Sequence, residues 1–282
     1  MKEGRRIKTL PPMNVIGTYF MPDRKGASNL FSMKVDITET DNYLHKKRKE
    51  NMPGMGLMHV IIAAYAQTIA RYPGINRFIR GQKIFARNGI EICLTIKKDM
   101  SLDSQETIIK LPATTAATLP EVFYRLNSLI AENRIEGDKN SLDKVCRIFT
   151  YIPGIFLKLG VSLIRLADFF GLLPRAITKL SPFHASMFIT NVGSLGIAPI
   201  YHHLYDFGNI PVFISMGTKY TEYILQKDGT TEKRKYIDVT LVCDERICDG
   251  HYYATAVKNL KRLIEQAWIM ESPEENINED IK

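Results

Sequence analysis

Two stretches of the chain combine residue types that could carry out chemistry. The first, VTLVCDERICDGHYY at residues 239–253, places carboxylates, thiols and a histidine around an Asp-Gly turn. The second, SMFITNVGS at residues 186–194, is a β-rich run that brings a threonine to a glycine turn. A carboxylate or histidine can move a proton, and a hydroxyl with backbone N–H groups can stabilise a developing oxyanion. These two stretches therefore hold the candidate site residues.

The thiols of the first stretch do not predict a metal site or a nucleophile. Cys243, Cys248 and His251 have Cys-x4-Cys-x2-His spacing, but a fourth ligand is not evident. Each thiol has an ordinary apolar role available, and the loop supplies no poised base that would activate Cys248. We expect no bound metal, and we interpret His251 as packing at the start of a helix.

The elements that must position these residues alternate between strand and helix patterns, without a clean linker or an internal repeat. They predict one α/β domain over residues 1–270 and an acidic tail over 271–282, which we expect to be disordered. The predicted strands are 30–37, 186–192, 211–218, 220–227 and 234–243, with a hairpin about Gly81, and the predicted helices are 56–71, 118–133 and 250–268.

The segment 141–180 does not fit this pattern, because it is far more apolar than an ordinary amphipathic helix. Pro153 and Pro174 bracket its centre, which favours two or three short helices over one long helix. One interpretation is a helical insertion packed on the core or on a neighbouring subunit. The other is an apolar lid, or an element at a membrane surface whose basic stripe faces lipid phosphates. The polar residues of the stripe are Lys158, Ser162, Arg165 and Asp168.

The formal net charge of +8 suits an anionic partner, such as a phosphate-bearing cofactor or an acidic membrane surface. A solvated basic surface without such a role is the alternative. We expect no nucleic-acid partner, because none of the known nucleic-acid-binding motifs is present. The chain has four cysteines without a paired framework and no apolar run long enough for a membrane span. We therefore expect a cytoplasmic protein, with a peripheral membrane contact through 141–180 as the alternative.

Three segments together resemble the catalytic domain of the 2-oxo acid dehydrogenase acyltransferases, in the superfamily of chloramphenicol acetyltransferase. The segments are FSMKVDIT (31–38) with the helix, Pro-x-x-Asn turn and hairpin of 59–96, MFITNVGSLGI (187–197), and CDERICDG (243–250). The resemblance implies a two-layer α/β sandwich with a mixed β-sheet, interrupted by a helical insertion at about 137–182. It also implies a homotrimer whose substrate channel runs between subunits.

The resemblance implies roles for individual residues. In that family a histidine takes a proton from the acceptor, which attacks an acyl-CoA thioester, and a hydroxyl of the neighbouring subunit donates to the oxyanion. Thr190 falls at the hydroxyl position, and Asp249 at the carboxylate that braces the loop. Asn191, Gly193 and Ser194 of the glycine turn are the expected coenzyme A contacts. The family pattern Asp-His-Arg-x-x-Asp-Gly places the histidine at Glu245, which is a departure at the most important position.

Glu245 could still act as a general base. A carboxylate with its usual pKa of about 4.3 is a weak base, and burial beneath 141–180 would improve it. Arg246 would oppose that effect if its guanidinium pointed the same way. His202 and His203 offer a replacement base, and at most one should reach the site, since adjacent residues of an extended segment face opposite ways. A second departure is the first helix, PPMNVIGTYFM, which has no arginine to pair with Asp249.

The sequence thus predicts an acyl-CoA-dependent acyltransferase that acts on an unknown hydroxyl, thiol or amine acceptor. The apolar insertion points to a long acyl chain or a lipid acceptor. The alternative is a catalytically inactive acyl-CoA-binding, lipid-binding or interaction protein on the same scaffold, and the replacement of the family histidine by Glu245 favours it.

Overall fold

The computed structural model of the protein describes residues 3–97, 106–135 and 150–282. The strands in these ranges are β1 (Gly4–Arg6), β2 (Ser28–Asp36), β3 (Phe78–Arg80), β4 (Lys83–Arg87), β5 (Ile90–Lys97), β6 (Glu106–Ala113), β7 (Met187–Asn191), β8 (Val212–Leu225) and β9 (Thr231–Asp244). The helices are α1 (Pro12–Phe20), α2 (Thr38–Glu50), α3 (Leu57–Arg71), α4 (Leu119–Ile135), α5 (Gly154–Phe169), α6 (Arg175–Leu180) and α7 (Gly250–Glu265).

The main sheet is mixed and has the strand order β2-β9-β8-β7-β5-β6. β5, β7 and β8 run parallel, whereas β2, β6 and β9 pair antiparallel with their neighbours. The prediction of two strands over 211–227 was wrong, because β8 runs through both with a register shift between Met216 and Lys219. A bulge of this kind bends a strand without ending it.

Helices cover one face of the main sheet. α3 is buried almost all round its surface, as its apolar run predicts for a central helix. α7 is amphipathic and buries a stripe that includes Tyr253, Leu260 and Leu263. These side chains pack with sheet residues such as Ile214 and Val239 in one core. The predicted two-layer α/β sandwich with a mixed sheet is confirmed.

The segment between β7 and β8 crosses the other face of the sheet. The Ile200 N–H donates to Ser215 Oγ at 3.2 Å, and Thr240 Oγ1 donates to the Ile200 carbonyl at 2.6 Å. Ser215 and Thr240 are register partners on β8 and β9, and Thr190 on β7 is the register partner of Ser215. Thr190 therefore lies on this second face, in a row of hydroxyl groups.

Helices α5 and α6 lie within the predicted insertion 137–182, of which residues 137–149 are outside the described ranges. No residue of α5 is buried. The helix contacts the body through its last turn, where Asp168 Oδ1 lies 3.1 Å from His184 Nε2. Packing of α5 into the core of its own protomer is thus excluded. Among the described helices, none has the length and apolar character needed to cross a membrane.

The acidic tail, residues 271–282, is held against the body. Its Asp280 carboxylate pairs with Arg77, and both side chains are more than nine-tenths buried. The Asn278 N–H donates to the Ala70 carbonyl at 2.8 Å, at the end of α3. The tail therefore has ordered contacts, whereas its composition predicted disorder. Its hydrogen-bond partners, the Arg77 guanidinium and the Ala70 carbonyl, lie far away in sequence.

Candidate active site

The loop that joins β9 to α7, residues 244–250, carries Glu245 and is called the candidate loop below. The Glu245 N–H donates to the Ala27 carbonyl at 2.8 Å, which ties the loop to the chain before β2. The Glu245 side chain is exposed. Arg246, next in sequence, is only 5% exposed and so does not share the solvent around Glu245. The loop thus presents one carboxylate outward.

A buried charge cluster fixes the base of the candidate loop. Asp244 accepts two hydrogen bonds of 2.8 Å from the Arg246 guanidinium and lies 3.6 Å from Arg24 Nε. Burial lowers the pKa of Arg24 to about 10, against the attraction of Asp244. Arg24 also donates to the backbone carbonyls of Tyr205, Asp206 and Gly208. Arg24 and Arg246 both contact the Asp244 carboxylate. Through Arg24, the loop is therefore connected to the chain before β2 and to the segment before β8.

Sequence reasoning missed Arg24 and Asp244. The resemblance implies an arginine within the first helix as a partner of Asp249, whereas Arg24 follows that helix in MPDRKG. Asp249 instead caps α7, since its side chain accepts from the Tyr252 N–H at 2.8 Å. A cap of this kind is worth about 1 kcal/mol. The Asp249 carboxylate thus holds the end of the candidate loop at the start of α7. The ion pair between Asp244 and Arg246 lies at the beginning of the loop.

The glycine turn, residues 191–196, follows Thr190 at the end of β7. The Ser194 N–H donates to Asn191 Oδ1 at 3.2 Å, and Ser194 Oγ donates to the Asn191 carbonyl at 2.8 Å. A Cβ on Gly193 would lie 2.2 Å from the Gly217 carbonyl oxygen, so only glycine permits this approach to β8. The Thr190 hydroxyl makes no hydrogen bond with the described residues and is free for a ligand.

A cavity of about 500 Å³ opens beside the glycine turn. Asn191, Gly193 and Ser194 line it, together with the start of α3 and residues 216–219 of β8. His59 of α3 also lines it, and its Nδ1 accepts from the Gly56 N–H at 3.1 Å. Burial lowers the pKa of His59, so its imidazole is neutral at pH 7. Sequence reasoning missed His59, since a histidine at the start of an apolar helix is typical of packing.

The main sheet separates Thr190 from Glu245 within one protomer. Thr190 is in register with Ser215, and Ser215 with Thr240, which lies two strands away. Glu245 follows Thr240 by five residues along β9 and into the loop. Strand spacing and rise place the two residues roughly 19 Å apart within the sheet. One protomer therefore does not bring the predicted base and the predicted oxyanion donor together.

His202 and His203 do not face opposite ways, and that expectation was wrong. Their rings stack with centroids 4.6 Å apart, and the His202 ring stacks on Phe213 at 4.1 Å. His202 Nδ1 lies 2.9 Å from the His203 carbonyl oxygen. Packing on Phe213 thus accounts for His202, while His203 is exposed on the same side.

The thiols near the candidate loop are core residues. Cys243 and Cys248 are 1% and 3% exposed, and burial raises the pKa of both thiols. A raised pKa keeps a thiol protonated and makes it a poor nucleophile or metal ligand. Within the described ranges, no group of three or more His, Cys, Asp and Glu side chains could hold a metal ion.

Comparisons with known proteins find similarity both in sequence and in fold. Residues 182–271 match the model of the 2-oxoacid dehydrogenases acyltransferase (catalytic domain) family. A probable dihydrolipoamide acetyltransferase from Listeria monocytogenes is similar in structure, with a TM-score of 0.59 and 14% identity over 95% of this chain and 97% of that one. A chloramphenicol acetyltransferase has a TM-score of 0.55 and 10% identity over 93% and 99% of the two chains. A search of curated proteins finds no significant sequence match.

The cubic core of a pyruvate dehydrogenase multienzyme complex is also similar, with a TM-score of 0.60 and 12% identity over 94% of this chain and 93% of that one. The glycine turn and the candidate loop both lie within the matched residues 182–271. The segments 31–38 and 59–96 lie outside that match, but the structural similarity extends over them. The predicted resemblance is thus confirmed: the part of the chain with the candidate site residues matches the 2-oxoacid dehydrogenase acyltransferase catalytic domain, and the described chain has the chloramphenicol acetyltransferase-like fold.

Proposed function

We propose that the protein transfers an acyl group from a coenzyme A thioester to a hydroxyl, thiol or amine acceptor, at sites built from two protomers. The observation that carries this proposal is the separation of Thr190 and Glu245 by two strand spacings and five residues within one sheet. The Thr190 end of β7 and the Glu245 end of β9 each expose one half of an acyl-transfer site. A neighbouring protomer, placed head to tail, supplies the missing half to each.

The Thr190 end stabilises the oxyanion and holds coenzyme A. The free Thr190 hydroxyl and the backbone N–H groups of the glycine turn can donate to the oxygen of the tetrahedral intermediate. One such donor is worth about 10²–10³ in rate. The cavity lined by Asn191, Gly193 and Ser194, at the glycine turn that follows Thr190, is the proposed coenzyme A site.

The Glu245 end supplies the base. The acceptor proton passes to the Glu245 carboxylate while the acceptor attacks the thioester carbonyl, and the coenzyme A thiolate leaves. Arg246 is engaged by Asp244 at 2.8 Å, so its guanidinium does not neutralise the neighbouring carboxylate. Contact with a neighbouring protomer would remove Glu245 from water, which makes a carboxylate a stronger base.

A homotrimer would also cover apolar surface that the protomer exposes. Met13 and Phe20 of α1 are 78% and 82% exposed, and Leu195 beside the glycine turn is 63% exposed. Exposed apolar side chains that cluster on one helix mark a contact surface. Sedimentation equilibrium should therefore give three times the chain mass of 32.2 kDa. A monomer at micromolar concentration would contradict the shared site.

Substitution of Glu245 tests the proposed base. Glu245→Ala should abolish release of the coenzyme A thiol from an acyl-CoA in an acceptor screen, while the affinity for coenzyme A stays within a few-fold. Glu39→Ala, at an exposed acid on α2, is the matched control and should keep full turnover. Equal turnover of Glu245→Ala and the wild type would exclude Glu245 as the base.

A non-catalytic acyl-CoA-binding or lipid-binding protein is the second candidate. The exposed carboxylate at the position of the family histidine favours it, since an ionised carboxylate in water is a weak base. This candidate predicts acyl-CoA binding without thiol release, whatever acceptor is offered. Thiol release that depends on Thr190 would exclude it.

Helix α5 is the proposed contact for a long acyl chain or a membrane surface. Its exposed apolar side chains include Phe156 and Leu163, at 64% and 58%, and its basic stripe includes Lys158 and Arg165. Phe156→Ser with Leu163→Ser should remove binding to vesicles that contain phosphatidylserine. Tyr223→Ser, at another 68% exposed side chain, should leave that binding unchanged.

A further inference from the structure

We propose that the acidic tail is a latch that positions the candidate loop, with Asp280 and Arg77 as the positioning residues. That the candidate loop carries the base rests on the proposed function. The latch itself concerns only the geometry of the loop.

The first contact of the latch is a buried ion pair. Arg77 Nε donates to Asp280 Oδ1 at 3.1 Å and to Oδ2 at 2.9 Å, and Nη2 donates to Oδ1 as well. The two side chains are only 8% and 9% exposed. A tail that merely lay on the surface would not bury a carboxylate against a guanidinium. The fork geometry makes this a specific contact between the tail and the start of β3.

The second contact joins the same guanidinium to the candidate loop. Arg77 Nη1 donates to the Ile247 carbonyl at 3.2 Å. Ile247 is fully buried and lies two residues after Glu245. One guanidinium thus bridges the carboxylate of the tail and the backbone of the loop. Because the guanidinium is rigid and planar, the position of Asp280 also fixes Arg77 Nη1, which donates to the Ile247 carbonyl.

The rest of the tail is anchored on both sides of this bridge. Asn278 Nδ2 donates to the Arg71 carbonyl at 2.6 Å, and its N–H donates to the Ala70 carbonyl, so it caps the end of α3. Arg5 of β1 donates to the Asp280 and Ile281 carbonyls at 2.9 and 2.8 Å. These anchors hold Asp280 in place for Arg77.

Arg77 cannot keep both contacts without its partner in the tail. Burial opposes its charge, and the hydrogen bond to Asp280 outweighs burial, so that the pKa of Arg77 is raised. A buried arginine that loses its carboxylate moves toward water. That movement would withdraw the donor from the Ile247 carbonyl and release the centre of the candidate loop.

Cysteine labelling tests this proposal, because the chain carries a reporter in the loop and a control far from it. Cys248 follows Ile247 and is 3% exposed, whereas Cys93 lies fully buried in β5. In the full chain, Asp280→Asn should raise the rate of Cys248 alkylation by iodoacetamide at least tenfold. Cys93 should change less than twofold, with each cysteine followed separately by peptide mass spectrometry. Glu279→Gln, at the exposed neighbouring acid, should change neither rate.

A second variant separates the latch from a general loss of stability. Arg77→Lys keeps a charge for Asp280 but cannot donate as a fork to both partners. It should accelerate Cys248 labelling while the Asn278 amide stays protected from hydrogen exchange. An unchanged Cys248 rate in Asp280→Asn, or a parallel rise at Cys93, would overturn the proposal.

The labelling needs neither an acceptor nor turnover, so it separates the latch from the proposed function. Fast Cys248 labelling in Asp280→Asn supports the latch even if the wild type transfers no acyl group. Turnover by the wild type with Cys248 labelling unaffected by Asp280→Asn would refute the latch alone.

Discussion

Thr190 and Glu245 lie roughly 19 Å apart along and across one sheet, by strand register and spacing. The Thr190 hydroxyl is free and faces the second side of the sheet, and the Glu245 carboxylate is exposed beyond the end of β9. An acyl-transfer site needs both groups within a few ångströms of the same carbonyl. Under the proposed function, the separation thus requires a neighbouring protomer to complete each site.

Mixed oligomers of two inactive variants should recover activity if sites are shared. Thr190→Ala and Glu245→Ala should each be inactive alone, because every site lacks one group. In 1:1 mixed trimers about one quarter of the sites join an intact Thr190 to an intact Glu245. Thiol release from acyl-CoA should therefore return to about a quarter of the wild-type rate. Mixed oligomers as inactive as the two parents would show that the groups do not act across an interface.

Gly193→Ala should weaken both folding and ligand binding. Its Cβ would come within 2.2 Å of the Gly217 carbonyl, so the glycine turn must move away from β8. Overpacking of this kind costs about 1–3 kcal/mol in the free energy of unfolding. Gly89→Ala is the control, because a Cβ there meets open space. Urea unfolding and acetyl-CoA titration measure the two effects. An unaltered affinity in Gly193→Ala would remove the glycine turn from the coenzyme A site.

Glu3 should make stability depend on pH between about 4.5 and 2. Burial opposes its ionisation, but Arg87, Asn209 and Arg80 outweigh burial and lower the pKa from 4.5 to about 2. Well above pH 4.5 the Glu3 carboxylate is ionised in both the folded and the unfolded state, and its contribution to the free energy of unfolding is fully present. As the pH falls toward 2, the unfolded chain binds the proton first, so the free energy of unfolding decreases by up to about 3 kcal/mol.

Glu3→Gln should lack this part of the pH dependence in urea unfolding, whereas Glu39→Gln, at an exposed acid, should retain it. A Glu3→Gln protein with the same loss of stability from pH 4.5 to 2 as the wild type would contradict the assignment.

The sequence was enough to predict the order of the elements around the site. Period-two and helical patterns placed β7, β9, α3 and α7 to within a few residues, because each has a continuous apolar face. The resemblance then put Thr190 and Glu245 in their elements. Their separation depends on the order of strands in the sheet, which the local pattern does not contain.

The contacts that shape the candidate loop join residues far apart in sequence. Arg24 reaches Asp244, and Asp280 reaches Arg77, across about two hundred residues. Composition alone made the tail resemble a solvated segment, since nothing local marks Asp280 among its neighbours. The expectation that His202 and His203 face opposite ways was wrong for a related reason, because the stacking of the His202 ring on Phe213 is a contact between residues of different segments of the chain.

Calorimetric titration of the wild-type protein with coenzyme A, acetyl-CoA and a long-chain acyl-CoA tests the central claim most directly, since it needs no knowledge of the acceptor. The account predicts saturable binding of all three, one molecule per protomer, which tightens with chain length as the apolar surface of α5 is covered. If none of the three ligands gave binding heat at several temperatures, the result would contradict a coenzyme A thioester as the acyl donor.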